Sequence, residues 1–180
     1  MDAPLVKYSV FLSPTANDFR FCESIIGAYS RTFGILPFEP HVTVYSGTFP
    51  CPEALKEAVS RAVAGMGPLS LRVRGAGCSE EYFKTLYIDF HDDQILQGVR
   101  RRIGQYLPVD SGYRLAPHLS LLYRDMPVSE KQALAQGLFL DRDTMSFDRI
   151  SISTPGNSTE GWRDTTRWHT VWRTVLGEGE

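Results

Sequence analysis

The sequence predicts an α+β fold: one unit spanning residues 1–180, built as two interlocked lobes. Three observations point there. Strand-like and helix-like stretches alternate from end to end, with no low-complexity linker to separate domains. With 42% hydrophobic residues, a chain of this length buries a proper core. A five-residue pattern also occurs twice, as Pro40-His41-Val42-Thr43-Val44 and as Pro117-His118-Leu119-Ser120-Leu121.

Each element follows from its residues. Tyr8-Ser9-Val10-Phe11-Leu12 reads as a strand ending at Ser13-Pro14. Thr15 or Asn17 then caps a helix to about Phe33, with Phe21, Ile25, Ile26 and Tyr29 on its inner face and Gly34 as its stop. After the first pentapeptide, Pro52 and Glu53 open a helix that runs to Ala64 and closes on Gly65 and Gly67. Leu69 to Val73 alternates as a strand, Gly75-Ala76-Gly77 makes a turn, and Tyr82 to Phe90 returns as the second strand of a hairpin. Asp92 and Asp93 start a helix to about Leu107, whose inner stripe is Ile95, Val99, Ile103 and Tyr106. The loop Pro108 to Ala116 leads into the second pentapeptide, and a helix from Val128 to Gly137 follows. Two strands, Met145–Ser153 and Trp168–Val175, complete the order.

Composition excludes several classes. The net charge of −2 supplies no global basic field for long nucleic acid. A small phosphorylated metabolite or a nucleic-acid end stays compatible. Three widely spaced cysteines, Cys22, Cys51 and Cys78, form no CxxC pair, which fits reduced thiols in a cytoplasmic protein, with one internal disulfide left open. Met1 to Leu12 has one early lysine and only a short apolar run, so no signal peptide is expected, and no stretch approaches membrane-spanning length.

The pentapeptides carry the chemistry. On a strand, residues i and i+2 share a face, so each copy sets a histidine beside a hydroxyl and turns Val42 and Val44, or Leu119 and Leu121, into the core. A histidine near a strand is ordinarily a surface or hydrogen-bonded core residue, and His91 and His169 read that way. His41 and His118 are different: two of only four histidines occupy the same position of a repeated motif. Two imidazoles across a cleft suit in-line attack at phosphorus, one withdrawing a proton from water and the other donating to the leaving alkoxide. Their pKa values must then be separated. Thr43 and Ser120 are placed to hydrogen-bond the non-bridging phosphate oxygens. A nucleophilic hydroxyl is the rival role; it lacks an evident acidic third member.

With their flanks, Phe38-Glu39-Pro40-His41-Val42-Thr43-Val44 and Pro117-His118-Leu119-Ser120-Leu121-Leu122-Tyr123 resemble the two signature motifs of the 2H phosphoesterase superfamily. Within it they look most like the cyclic phosphodiesterases. The resemblance implies the bilobal 2H fold, two lobes each with an antiparallel sheet and flanking helices around a central cleft. It implies metal-independent hydrolysis with no cofactor, His41 and His118 as the acid/base pair, and Thr43 and Ser120 as phosphate binders. The implied substrates are small: ADP-ribose 1″,2″-cyclic phosphate, opened to the 1″-phosphate, and nucleoside 2′,3′-cyclic phosphates, opened to 2′-phosphates. By resemblance His41 inclines to acid and His118 to base, with the reverse open. The expected protein is a cytoplasmic monomer with a small cyclic phosphate or nucleotide as partner, and no membrane or stable nucleic acid. Two alternatives remain: an RNA-end 2′,3′-cyclic phosphodiesterase or 2′–5′ RNA ligase-like enzyme, which calls for a continuous basic groove, and a non-catalytic nucleotide-binding module, which has no need of two proton carriers.

Other residues are secondary. Tyr123, at i+5 from His118, reaches the cleft as a substrate-binding residue only if its strand ends or bulges near Leu122; otherwise it packs in the core. Tyr45, at i+4 from His41, faces the site or its rim. Tyr82, Phe83 and Trp162 are candidates for stacking on a base, with core packing the stronger reading for Phe83. Lys84 and Arg124 are candidate partners for a second phosphate, against the ordinary reading of solvated surface charge. Asp89 to Asp93 has metal-like spacing but reads as a helix start, and Arg100-Arg101-Arg102 reads as an exposed helix face.

Overall fold

Alternation along β1 (Val6–Pro14) sets the plan of the molecule, whose computed structural model describes residues 5–156 and 163–177. Tyr8, Val10, Leu12 and Pro14 are buried on one face, while Lys7, Ser9, Phe11 and Ser13 line a cleft on the other. The chain continues through α1 (Ala16–Phe33), β2 (Val42–Phe49), α2 (Glu53–Val63), β3 (Leu69–Gly77) and β4 (Leu86–Phe90). It then forms α3 (Gln94–Tyr106), β5 (His118–Leu122), α4 (Val128–Gly137), β6 (Thr144–Thr154) and β7 (His169–Val175). This is the order expected from the sequence.

The strands pair antiparallel in the order β1-β2-β5-β4-β3-β6-β7, and β1 also pairs with β6. β6 is therefore shared: its first residues pair with β3, and its later ones lie between β1 and β7. The two lobes are two arcs of one hydrogen-bonded ring. Their other seam is a single pairing of β2 with β5, Val42 opposite Leu119, at the middle of the two pentapeptides. Val42, Val44, Leu119 and Leu121 are all 0% exposed, so the apolar half of each motif anchors the seam in the core. Helices cover the outer side, with α2 against α3, α1 against β5 and α4 against β3 and β4.

Three local expectations change. The buried stripe of α1 is Asp18, Cys22, Ile26 and Ser30, and Phe21, Ile25 and Tyr29 border it. A carboxylate can be buried there because Asp18 accepts a hydrogen bond from the Ser146 amide (2.8 Å) and pairs with Arg142 (3.3 Å), joining α1 to β6. In α3, Leu96, Val99, Ile103 and Gly104 face inward, while Ile95 and Tyr106 are exposed. The Asp93 carboxylate caps this helix by accepting from the Leu96 amide at 2.8 Å, which sets its phase, so the acidic run does start a helix. Gly75-Ala76-Gly77 continues β3 instead of turning. Gly77 lies opposite Tyr87, whose ring would stand 2.5 Å from any added Cβ, so the glycine is needed for close approach. The reversal comes later, through a 3-10 turn at Tyr82–Lys84, and β4 begins at Leu86.

The arginine run is also less solvated than expected. Arg100 donates to the Tyr113 carbonyl (2.6 Å) and forks onto both oxygens of Asp110, and Arg102 donates to the Ala62 carbonyl at 3.0 Å. Arg100 thereby fastens the loop between α3 and β5, which delivers His118 to the cleft. All three cysteines are free thiols. No helix of the described residues is long and apolar enough to cross a membrane.

Candidate active site

The ring encloses a cleft of about 620 Å³ whose lining includes His41, Thr43, His118, Ser120 and Tyr123. Pro40 and Pro117 are both buried, and each imidazole is tied in the same way. His41 Nδ1 lies 2.7 Å from the Glu39 carbonyl oxygen, and His118 Nδ1 lies 2.8 Å from that of Ala116. A carbonyl only accepts, so Nδ1 carries the proton in both rings and Nε2 is left for the cleft. The antiparallel pairing of Val42 with Leu119 carries His41 toward the position of Ser120, and Thr43 toward that of His118. The four side chains form one cluster with the two histidines on its diagonal.

The surroundings of the two rings differ. Phe11 stacks on His41 with centroids 3.7 Å apart and planes at 26°. Burial pushes the His41 pKa down to about 4; the Glu39 carbonyl opposes this and the neighbouring His118 adds to it. His118 meets Tyr87 edge-on at 5.3 Å and sits opposite Asp89 in the β4–β5 register. Burial also lowers the His118 pKa and Lys84 lowers it further, while the Ala116 carbonyl, Glu81 and Asp89 hold it up. Lys84 is itself paired with Glu81 at 3.2 Å. Two imidazoles with the same backbone tether therefore have unequal proton affinities.

The hydroxyls differ too. Thr43 faces the cleft, and its backbone carbonyl accepts from the Tyr113 phenol at 3.3 Å. Ser120 donates to the Phe83 carbonyl at 2.6 Å. The β4–β5 register shifts between Leu86 and Tyr87, which pair with Leu122 and Ser120 respectively, so Leu121 is an extra residue, Leu122 turns into the core and Tyr123 lines the cleft. Its ring stacks on Phe38 at 3.9 Å, with Phe83 edge-on at 4.9 Å, and its phenol interacts with the Ser120 hydroxyl. Burial raises the Tyr123 pKa above its ordinary range, which keeps the phenol protonated as a donor.

Tyr45 is not on the cleft. The β1–β2 register shifts between Val10 and Phe11, which pair with Tyr45 and Thr43 respectively, so Val44 is an extra residue. The bulge turns Tyr45 into the core at 0% exposure and brings Ser46 to the cleft in its place. Tyr45 instead donates to Asp110 and accepts from the Ser111 amide, both at 2.8 Å. Phe83 and Lys84 line the cleft; Tyr82 stacks behind Tyr123 at 6.2 Å. Arg124 is elsewhere, donating to the Phe33 carbonyl at 2.7 Å, and Trp162 lies outside the described residues. His91 and His169 do not line the cleft. The sequence reasoning missed Phe11 and Trp168, which meet at 5.7 Å on the wall beside His41. Phe11 had a signal, since strand parity puts it on the same face as Ser9 and Ser13. Among the described residues, no group of three or more His, Cys, Asp or Glu is arranged to hold a metal ion.

This architecture is similar to solved structures of very low sequence identity. TT0787 of Thermus thermophilus superposes with a TM-score of 0.60 at 12% identity, covering 97% of this chain and 99% of that one. LigT of E. coli complexed with NADP+ gives 0.57 at 12% identity, over 97% and 100%, and LigT complexed with 3'-AMP gives 0.57 at 13%, over 96% and 99%. Comparison with curated proteins finds no match. The profile of the 2'-5' RNA ligase superfamily matches residues 28–157, a span that holds both histidine motifs. On that match the chain belongs to the 2'-5' RNA ligase superfamily, the 2H phosphoesterases.

Proposed function

We propose that the chain hydrolyses a small cyclic phosphodiester on a ribose, without a metal, using His41 as base and His118 as acid. The observation that carries this reading is the matched pair of tethered imidazoles, each leaving Nε2 for a cleft that also holds Thr43 and Ser120. Water attacks phosphorus while His41 Nε2 takes its proton. The bond from phosphorus to the ribose oxygen breaks as His118 Nε2–H donates to that oxygen. One P–O bond forms as another is lost, and the proton leaving His118 is matched by the one reaching His41. Thr43 and Tyr123 donate to the non-bridging oxygens as their charge grows, and Ser120 joins them only by turning its proton away from the Phe83 carbonyl.

The proton roles reverse the inclination that resemblance alone gives. A general acid must hold its proton, and at His118 the Lys84 ammonium, which opposes this, is countered by the Ala116 carbonyl and the carboxylates of Glu81 and Asp89. His41 lies under an aromatic ring, and its ionisable neighbour is the other imidazole. When an anionic substrate enters, the first proton taken up goes to His118.

The candidate substrates are ADP-ribose 1″,2″-cyclic phosphate and the nucleoside 2′,3′-cyclic phosphates. A cleft of about 620 Å³ is of the size that holds a nucleotide, and the LigT complexes with 3'-AMP and NADP+ support a nucleotide-bearing ligand. The lining mixes Lys7, Lys84 and Arg114 with Glu39 and Glu81, which favours a small substrate over a long RNA. The test is to incubate the purified protein, in EDTA, with these compounds and a cyclic-phosphate-ended RNA, and to follow phosphorus NMR. Ring opening to a single phosphomonoester is expected. Activity that disappears in EDTA overturns the metal-free mechanism, and no turnover of any cyclic phosphate overturns the hydrolase.

A further inference from the structure

Past the reacting centre, the floor of the cleft carries a row of side chains that the proposed hydrolysis does not use. Ser46 of β2, Ser9 of β1, Ser153 of β6 and Thr170 of β7 are paired neighbours, one from each of four adjacent strands. Ser9 and Ser46 hydroxyls are 3.0 Å apart, and those of Ser153 and Thr170 are 3.3 Å apart. Ser9 and Ser153 are each only 4% exposed, yet both line the cleft. A buried strand face ordinarily carries apolar side chains, and Val10 and Ile152 supply them on the opposite face of the same two strands. Polar groups that deep are normally matched by partners, and a row of hydroxyls both gives and takes hydrogen bonds.

The row has a defined position and a charge beside it. Ser9 is two residues from Phe11, the ring under His41, and so lies about 7 Å from it along the strand. Lys7 is a further about 7 Å on, on the same face, and also lines the cleft. Burial holds the Lys7 ammonium below its ordinary range, and an anion bound beside it would raise it again. Hydroxyls alone would suit a neutral sugar; the lysine selects for phosphate.

We propose that Ser9, Ser153 and Lys7 form a subsite for a second phosphate of the substrate, one sugar away from the phosphate that reacts. This rests on the hydrolase reading above. The second phosphate has two chemical sources: the pyrophosphate of a nucleotide such as ADP-ribose 1″,2″-cyclic phosphate, or the 5′-phosphate or phosphodiester of an RNA end. In each case it hangs from the 5″- or 5′-carbon of the same ribose that carries the cyclic phosphate.

The test compares kcat/KM for adenosine 2′,3′-cyclic phosphate with a 5′-hydroxyl, its 5′-phosphorylated form, the dinucleotide ending in the cyclic phosphate, and ADP-ribose 1″,2″-cyclic phosphate. The 5′-phosphate is expected to raise kcat/KM by about tenfold, chiefly through KM. Lys7→Met brings the ratio of the two mononucleotides near one, and Lys7→Arg preserves it, whereas a merely structural lysine would change both substrates alike. The dinucleotide and the ADP-ribose compound then show which source binds better. Equal kcat/KM for all phosphate-bearing compounds and the 5′-hydroxyl one overturns the subsite, as does a ratio unmoved in Lys7→Met. Failure to turn over any of the four sinks the hydrolase reading instead, so the two failures are distinguishable.

Discussion

The two arcs of the ring present the same pentapeptide to one cleft and surround it with different chemistry. On the β2 side, His41 lies flat on Phe11, and its pKa falls to about 4. On the β5 side, His118 faces Asp89 across the β4–β5 ladder, with Glu81 and Lys84 close enough to act on it. A stacked ring excludes water without adding charge, whereas the β5 side surrounds its imidazole with charges of both signs, Lys84 against Glu81 and Asp89. The repeat supplies identical groups; the neighbours make them unequal. Acid/base catalysis needs that inequality, because one ring must be empty when the other is loaded.

The largest expected effect tests the inequality directly. His41→Ala and His118→Ala should each lower kcat on a cyclic phosphate by about 10²- to 10⁴-fold. A p-nitrophenyl phosphodiester separates them, since its leaving group needs no proton. His118→Ala should recover most of its activity on that substrate and His41→Ala should not; recovery in His41→Ala alone reverses the roles. The hydroxyls come next. Thr43→Val should lower kcat by about 10²-fold, the scale of a lost oxyanion donor. Ser120→Ala should cost only about tenfold, because its proton goes to the Phe83 carbonyl and the neighbouring Tyr123 phenol remains as a donor. Equal losses from both substitutions would remove this distinction between the arcs.

Removing the stacked ring should blur the comparison. In Phe11→Ala water reaches His41, and its pKa should climb from about 4 toward the ordinary 6.5, read from the imidazole C2–H shifts by NMR titration. A base must be unprotonated, so the acid limb of kcat/KM moves up, with activity lost near about pH 5 and largely kept at about pH 7. Stability follows the same linkage. Unfolded His41 takes up its proton near 6.5 and folded His41 only near 4, so the unfolded state binds more protons between them. The folded state therefore weakens as pH falls through that window, and His41→Gln should flatten the slope of Tm against pH. A slope unchanged in His41→Gln assigns the acid sensitivity to other groups.

Much of this was legible in the sequence, for reasons that also explain the misses. Element order followed from periodicity and from Gly34, whose positive φ of 63° ends α1. The cluster of His41, Thr43, His118 and Ser120 followed from period-two alternation within a repeated motif. What alternation could not supply was any place where it breaks. The extra residue Val44 sent Tyr45 inward, and the extra residue Leu121 at the matching place of β5 brought Tyr123 to the cleft. Gly77 read as a turn because the sequence does not show Tyr87 lying over it. Long-range pairings such as Asp18 with Arg142, or Asp89 opposite His118, arise from the ring's closure and have no local signature.

Tyr45 carries the smallest of these effects and the sharpest contrast between the two readings of its strand. In the structure its phenol donates to Asp110 and accepts from the Ser111 amide, pinning the loop that leads into β5. In Tyr45→Phe, Asp110 keeps Arg100 and the Gly112 amide, but the Ser111 amide loses its acceptor. The expected loss is about 1–2 kcal/mol in urea denaturation, with the m-value unchanged. Turnover should fall modestly, since the loop also carries Tyr113, whose phenol donates to the Thr43 carbonyl. A Tyr45 on the cleft rim would behave in the opposite way, with KM altered and the denaturation midpoint unmoved. One conservative variant thus decides whether the bulge at Val44, which has a counterpart at Leu121 on the His118 arc, is what anchors the loop delivering the second histidine.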